Sequence, residues 1–251
     1  MQANSIDEVI QFLDQIIETA IETEDRLGFF AALYRQVTLE VKRGIAEGFF
    51  EDGERMNRLD TVFANRYLAA YSEWARGCKP TRSWTIAFKA SQDGELTILQ
   101  QLLLGINAHI NLDLGLAAAA VSPGDQLPSL KEDFNRINQI LSRLLDRVQR
   151  VLDQFSPLMD LLDRMGGPAD EAMLNFSIDV AREDAWLTAE IANCQSPERY
   201  DVLVNTLDRR VADLGERIAH PRPPLSLAVR LMRLQESNDI PTIIRVLNTL
   251  V

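Results

Sequence analysis

The chain predicts an all-α fold: one multi-helix domain packed around a central buried helix at about residues 95–121. Three observations carry this. Helix caps and apolar residues at helical spacing recur along nearly the whole chain. Strand-like alternation is almost absent, and one long apolar run occupies the middle of the sequence. With 251 residues, 46% hydrophobic and 25% charged, the composition is that of a globular domain with a sizeable core. Only 12 glycines and 10 prolines leave little room for disordered stretches, and no internal repeat is visible.

Ser5-Ile6-Asp7-Glu8 has the form of a capping box, in which Ser5 accepts from the first turn and Glu8 reaches back. Ile6, Val9, Ile10, Leu13, Ile16 and Ile17 follow at helical spacing. A second helix is expected from about Leu27 to Gly48, and a third from Gly53 to Arg76 carrying Leu59, Phe63, Tyr67, Ala70 and Trp74. Gly77-Cys78-Lys79-Pro80 ends it, and a short helix covers Ser83 to Ala90. The central helix follows Asp93-Gly94 and closes at Ser122-Pro123-Gly124. Pro128-Ser129 opens a long helix that Pro157 should break or kink, because proline removes an amide donor and clashes with the preceding turn. Gly166-Gly167-Pro168 reads as a turn. The next helix runs to about Asn193, and Ser196-Pro197-Glu198 starts another. The proline-rich His220–Pro224 cluster then divides a domain over 1–224 from a C-terminal helical appendage over 225–251.

The formal charge of −11 and the pI near 4.7 disfavour contact with nucleic acid or an anionic membrane. Residues Met1 to Asp7 lack the basic and apolar regions of a signal peptide. Cys78 and Cys194 follow no ligand spacing, and a large helical chain needs no disulfide, so they read as a pair of buried or incidental thiols in a reducing cytoplasm. The expectation is a cytoplasmic protein.

The segment Gly105-Ile106-Asn107-Ala108-His109-Ile110-Asn111-Leu112-Asp113-Leu114 sets four polar side chains within the most apolar stretch. A central aspartate alone makes a membrane span costly, by about 2.5–3.5 kcal/mol, so a core helix is expected. At about 100° per residue, His109 and Asp113 project within about 40° of each other, and Asn107 and Asn111 form a second pair about 160° away. Asp113 is placed to orient His109 and favour its protonated form, which gives an acid–base group near neutral pH. A metal is the other chemistry open to the pair, but no further ligands are singled out, and no metal site is assigned. A third reading is structural, in which the quartet fixes helix register.

This decamer resembles the Gly-x-Asn-Ala-His-Ile-Asn-x-Asp-Leu motif of an uncharacterised bacterial family, the domain of unknown function numbered 5995. Leu59–Tyr67 and Ala181–Trp186 also look like that family, and the resemblance covers roughly residues 25–195. It implies no activity.

The flanking segments have their own physical reading. Asp60 begins an otherwise aromatic stripe through Phe63, Tyr67 and Trp74. Asp179, Arg182, Trp186 and Glu190 share a helix face, so Arg182 is expected to stack on Trp186 and pair with Asp179, presenting a fixed cation to a carboxylate or phosphate. Arg66 is an outside candidate for the same role. There is no phosphate loop, dinucleotide fingerprint, Gly-x-Ser-x-Gly elbow, His-Glu-x-x-His or Cys-x-x-Cys motif, nor the paired Glu-x-x-His of di-iron bundles.

The reading that results is a helical protein binding, and open to transforming, a small polar or anionic molecule beside His109 and Asp113. Asn107, Asn111, Asp60, Tyr67, Arg66, Arg182 and Trp186 are its binding candidates. A non-catalytic scaffold or protein-interaction module is the alternative. Cofactor, reaction and oligomeric state are not specified by the sequence.

Overall fold

Ser5 opens the first helix by accepting from the Glu8 amide at 3.3 Å, while Glu8 turns its carboxylate to the Asn4 amide at 2.8 Å. The expected box is therefore made on one side only. In the computed structural model, which describes residues 1–156 and 177–249, this helix is α1 (Ile6–Glu22). It is followed by α2 (Leu27–Ala46), α3 (Gly53–Ala75) and α4 (Arg82–Gln92). The central segment comprises α5 (Ile98–Ile106), a π-helical stretch (Asn107–Leu114) and α6 (Gly115–Val121). Next come α7 (Leu127–Phe155), α8 (Ile178–Asn193), α9 (Pro197–Ala219), α10 (Leu225–Gln235) and α11 (Ile240–Leu247). The fold is all-α, with no strand among the described residues. The predicted break at Pro157 and turn at Gly166-Gly167-Pro168 lie outside those residues.

The central segment is the axis of the fold. Thr97 and Gln100 form a reciprocal capping box at its start, and Gln100 also donates to the Ile218 carbonyl of α9 at 2.8 Å. Glu236, at the end of α10, accepts from the Ile98 amide at 3.0 Å and from Ser156 Oγ at 2.8 Å, tying the start of α5 to the end of α7. The segment is long and apolar enough to cross a membrane, yet 83% of its most apolar window is buried inside the fold. Two glycines bring neighbours close. A Cβ at Gly105 would lie 2.4 Å from the Phe30 ring of α2, and one at Gly115 would lie 2.3 Å from the Ala185 carbonyl of α8.

The connection between α2 and α3 is pinned to α7 by Asp133, which accepts from the Glu51 and Asp52 amides and from Arg55. The backbone bonds and Arg55 outweigh burial and hold this carboxyl below its usual range. Asp208 of α9 caps α4 by accepting from the Arg82 and Ser83 amides. At the C-terminus, Ile240, Ile243, Ile244 and Leu247 of α11 join the main hydrophobic core, and Gln36 of α2 donates to the Asn248 carbonyl at 2.8 Å. Cys78 and Cys194 are both exposed and unpaired.

Candidate functional site

The polar quartet sits on backbone that winds with i→i+5 hydrogen bonds, a wider turn than the α-helix and one found frequently at functional sites. Four residues no longer complete a turn there, so the angular placement derived for an α-helix does not describe these side chains. Asn107, His109 and Asp113 are buried and Asn111 is half-buried.

The asparagines answer to each other and to α9. Asn107 Nδ2 donates to the Val211 carbonyl at 2.9 Å, and Asn111 Nδ2 donates to Asn107 Oδ1 at 2.9 Å. Asp113 is also taken by the protein: Arg66 Nε donates to one oxygen at 2.7 Å and Trp84 Nε1 to the other at 2.8 Å. Arg66 therefore serves Asp113 and is not a free cation. Asp113 was expected to orient His109, but its Oδ2 lies 3.7 Å from His109 Nδ1, beyond hydrogen-bond reach. Its two oxygens are already committed elsewhere.

His109 stands in an aromatic cage. Phe63 stacks on the imidazole with ring centroids 3.6 Å apart, Tyr34 meets it edge-on at 4.4 Å, and Phe30, Trp84 and Tyr67 stand farther off at 5.7, 6.0 and 6.2 Å. Neither imidazole nitrogen has a hydrogen-bond partner among the described residues. Burial pushes the His109 pKa below its usual 6.5, outweighing the opposite pull of Asp113. Burial thus favours the neutral imidazole, whereas the pairing with Asp113 was expected to favour the protonated form.

A cavity of about 610 Å³ adjoins His109, bounded by α2, α3, α5, the π-helical stretch, α7 and the start of α8. Its wall is almost wholly apolar, including Leu33, Val37, Met56, Leu59, Leu103, Ile110, Ile137 and Leu144. Tyr34, Asp60 and His109 interrupt it, and each carries buried polar atoms with no hydrogen-bond partner among the described residues: Tyr34 Oη, Asp60 Oδ2 and both His109 nitrogens. Burial alone raises the Asp60 carboxyl from 3.8 to about 7, so it is near half-protonation at neutral pH. Burial, with the Asp60 charge, raises the Tyr34 phenol well above its usual value. Three protonatable groups of different character therefore face one apolar space. Asp113, Asn107 and Asn111 do not line it.

Arg182 also lines the cavity, but not in the predicted arrangement. Its guanidinium lies over the Phe134 ring at 4.4 Å and donates to the Phe134 carbonyl and to Asn138 Oδ1, with no ion pair to Asp179. Trp186 packs on the same Phe134, is covered by Lys131 Nζ at 4.2 Å, and donates to Glu190 at 2.7 Å. Phe134 thus supplies the platform that Trp186 was expected to give. Tyr67 is fully buried beside Trp84, its hydroxyl has no hydrogen-bond partner among the described residues, and burial raises its phenol.

Sequence reasoning missed Tyr34, which follows Phe30 by four residues on an apolar face indistinguishable from core. It also missed Trp84, whose indole fixes Asp113. Among the described residues, no group of three or more His, Cys, Asp or Glu side chains is arranged to hold a metal ion.

No curated protein and no solved structure matches the chain. The model of a family of unknown function, DUF5995, matches residues 6–221, a wider span than the motif segments cover, and the chain belongs to that family.

Proposed function

We propose that this protein binds a small molecule in the cavity beside His109, with an apolar body against the wall and a polar group at Tyr34, Asp60 and His109. The observation that carries this is the meeting of an apolar space of ligand size with three unpartnered buried polar groups. Buried polar groups normally find partners, and a ligand heteroatom supplies them here. In an enzymatic version of the reading, neutral His109 is the acid–base group and Asp60 a second proton carrier, while Asp113 acts on the imidazole only across 3.7 Å. The charge of −11 favours a cytoplasmic setting away from nucleic acid and membrane surfaces.

A scaffold role is favoured for Asn107, Asn111 and Asp113, which are satisfied by Val211, Asn107, Arg66 and Trp84. The quartet therefore divides into one ligand-facing residue, two that tie neighbouring helices together, Asn107 and Asp113, and Asn111, which holds Asn107 in place. A neutral fluorescent probe such as N-phenyl-1-naphthylamine tests the cavity. Saturable brightening is expected with the purified chain, and loss of it in Ile110→Trp, which fills the space, with an unchanged circular dichroism spectrum. No brightening with the unmodified chain refutes the proposal.

A further inference from the structure

Arg182 is 4% exposed and faces the cavity, yet its contacts are with neutral groups: the Asn138 amide oxygen, the Phe134 carbonyl and the Phe134 ring. Those two hydrogen bonds use two of the five guanidinium N–H groups. No carboxylate of the described residues lies within 4.0 Å of it, the limit for an ion pair. Asp179, one turn earlier, is exposed and acts on it only at longer range. A buried cation without a counter-charge is costly, and the usual remedies are a carboxylate or a bound anion.

From this placement, and resting on the cavity reading above, we infer that the ligand is a single-chain monocarboxylate whose head pairs with Arg182 and whose hydrocarbon chain fills the apolar space. Guanidinium geometry matches a carboxylate edge-on. One buried positive charge balances one negative charge, whereas a phosphate monoester carries about −1.5 to −2 at pH 7 and would remain unbalanced. The wall away from the polar groups is built from residues such as Leu33, Val37, Leu103, Ile137 and Val148, which offer a hydrocarbon chain nothing but contact. At ~30 Å³ for each water-sized group, about 610 Å³ accepts roughly twenty non-hydrogen atoms, about the size of a C16–C18 chain. The Tyr34, Asp60 and His109 cluster then meets a second polar feature of that chain, or its reacting carbon.

Displacement of N-phenyl-1-naphthylamine from the lipid-stripped full chain decides between head groups. Dodecanoate is expected to displace the probe at concentrations at least tenfold below those of dodecanol and of dodecyl phosphate. Arg182→Gln should weaken dodecanoate by at least tenfold and leave dodecanol unchanged, with Arg182→Lys intermediate. Should Arg182→Gln fail to fold, the selectivity of the unmodified chain still decides. Equal displacement by dodecanoate and dodecanol, or preference for the phosphate, overturns the head-group inference while the cavity reading stands. Absence of probe binding removes both.

Discussion

Asp60→Asn keeps the shape of a buried side chain and removes its ionisation, which exposes what the carboxylate costs the fold. Burial raises the Asp60 pKa from 3.8 to about 7, so the folded chain holds that proton more tightly than the unfolded one. Between those values the unfolded state gives up the proton first, and wild-type stability falls as pH rises. The loss is complete above about 7. The interval from 3.8 to about 7, at about 1.4 kcal/mol per pH unit, amounts to about 4 kcal/mol at most. His109 acts with the opposite sign: its pKa is lowered, so its contribution is lost as pH falls below 6.5. Glu236, raised by burial, acts in the same sense as Asp60. Both are present in the two proteins, so the difference between them isolates Asp60. Urea unfolding of wild type and Asp60→Asn from pH 4 to pH 8 should show the variant gaining on the wild type up to about pH 7 and levelling thereafter. A difference that stays flat across this range refutes the assignment of Asp60 as a desolvated carboxyl.

Two further outcomes follow from the packing. Gly115→Ala sets a Cβ 2.3 Å from the Ala185 carbonyl and 2.8 Å from Thr188 Cβ, and backbone cannot step aside cheaply. It should cost about 1–3 kcal/mol, lowering Tm by roughly 2–4 °C per kcal/mol, and an unchanged melt would contradict the close approach of α6 and α8. Asn107→Leu removes the donor to the Val211 carbonyl and the acceptor for Asn111, which should cost about 1–3 kcal/mol in denaturant unfolding with probe affinity intact. Lost affinity at unchanged stability would return Asn107 to the ligand site.

Helix positions were largely legible because caps and apolar spacing are local signals. The starts at Leu27 and Gly53 and the end at Asn193 fall where periodicity and punctuation put them. The burial of the polar run was legible too, since it has apolar neighbours on every side. Its winding was not: nothing in the periodicity of Asn107–Leu114 distinguishes i→i+5 from i→i+4 hydrogen bonding. Pairing inferred within one helix also failed where a distant residue competes better. Arg66 and Trp84 reach Asp113 from α3 and α4, and Phe134 of α7 takes the place given to Trp186. Apolar cavity walls read as core from sequence, because Leu103 or Ile137 has the same pattern whether it faces a neighbour or a space.

The junction of Gly28, Ala20 and Ile244 has a practical side. A Cβ at Gly28 would lie 2.6 Å from Ile244 Cδ1 and 2.7 Å from Ala20 Cβ, so α1, α2 and α11 meet with almost nothing between them. The span shared with the family ends at 221, before α10 and α11 begin. Similarity and folding therefore draw their boundaries at different places on this chain. A fragment cut where the resemblance stops would bare the α1–α2 surface that Ile240, Ile243, Ile244 and Leu247 now cover.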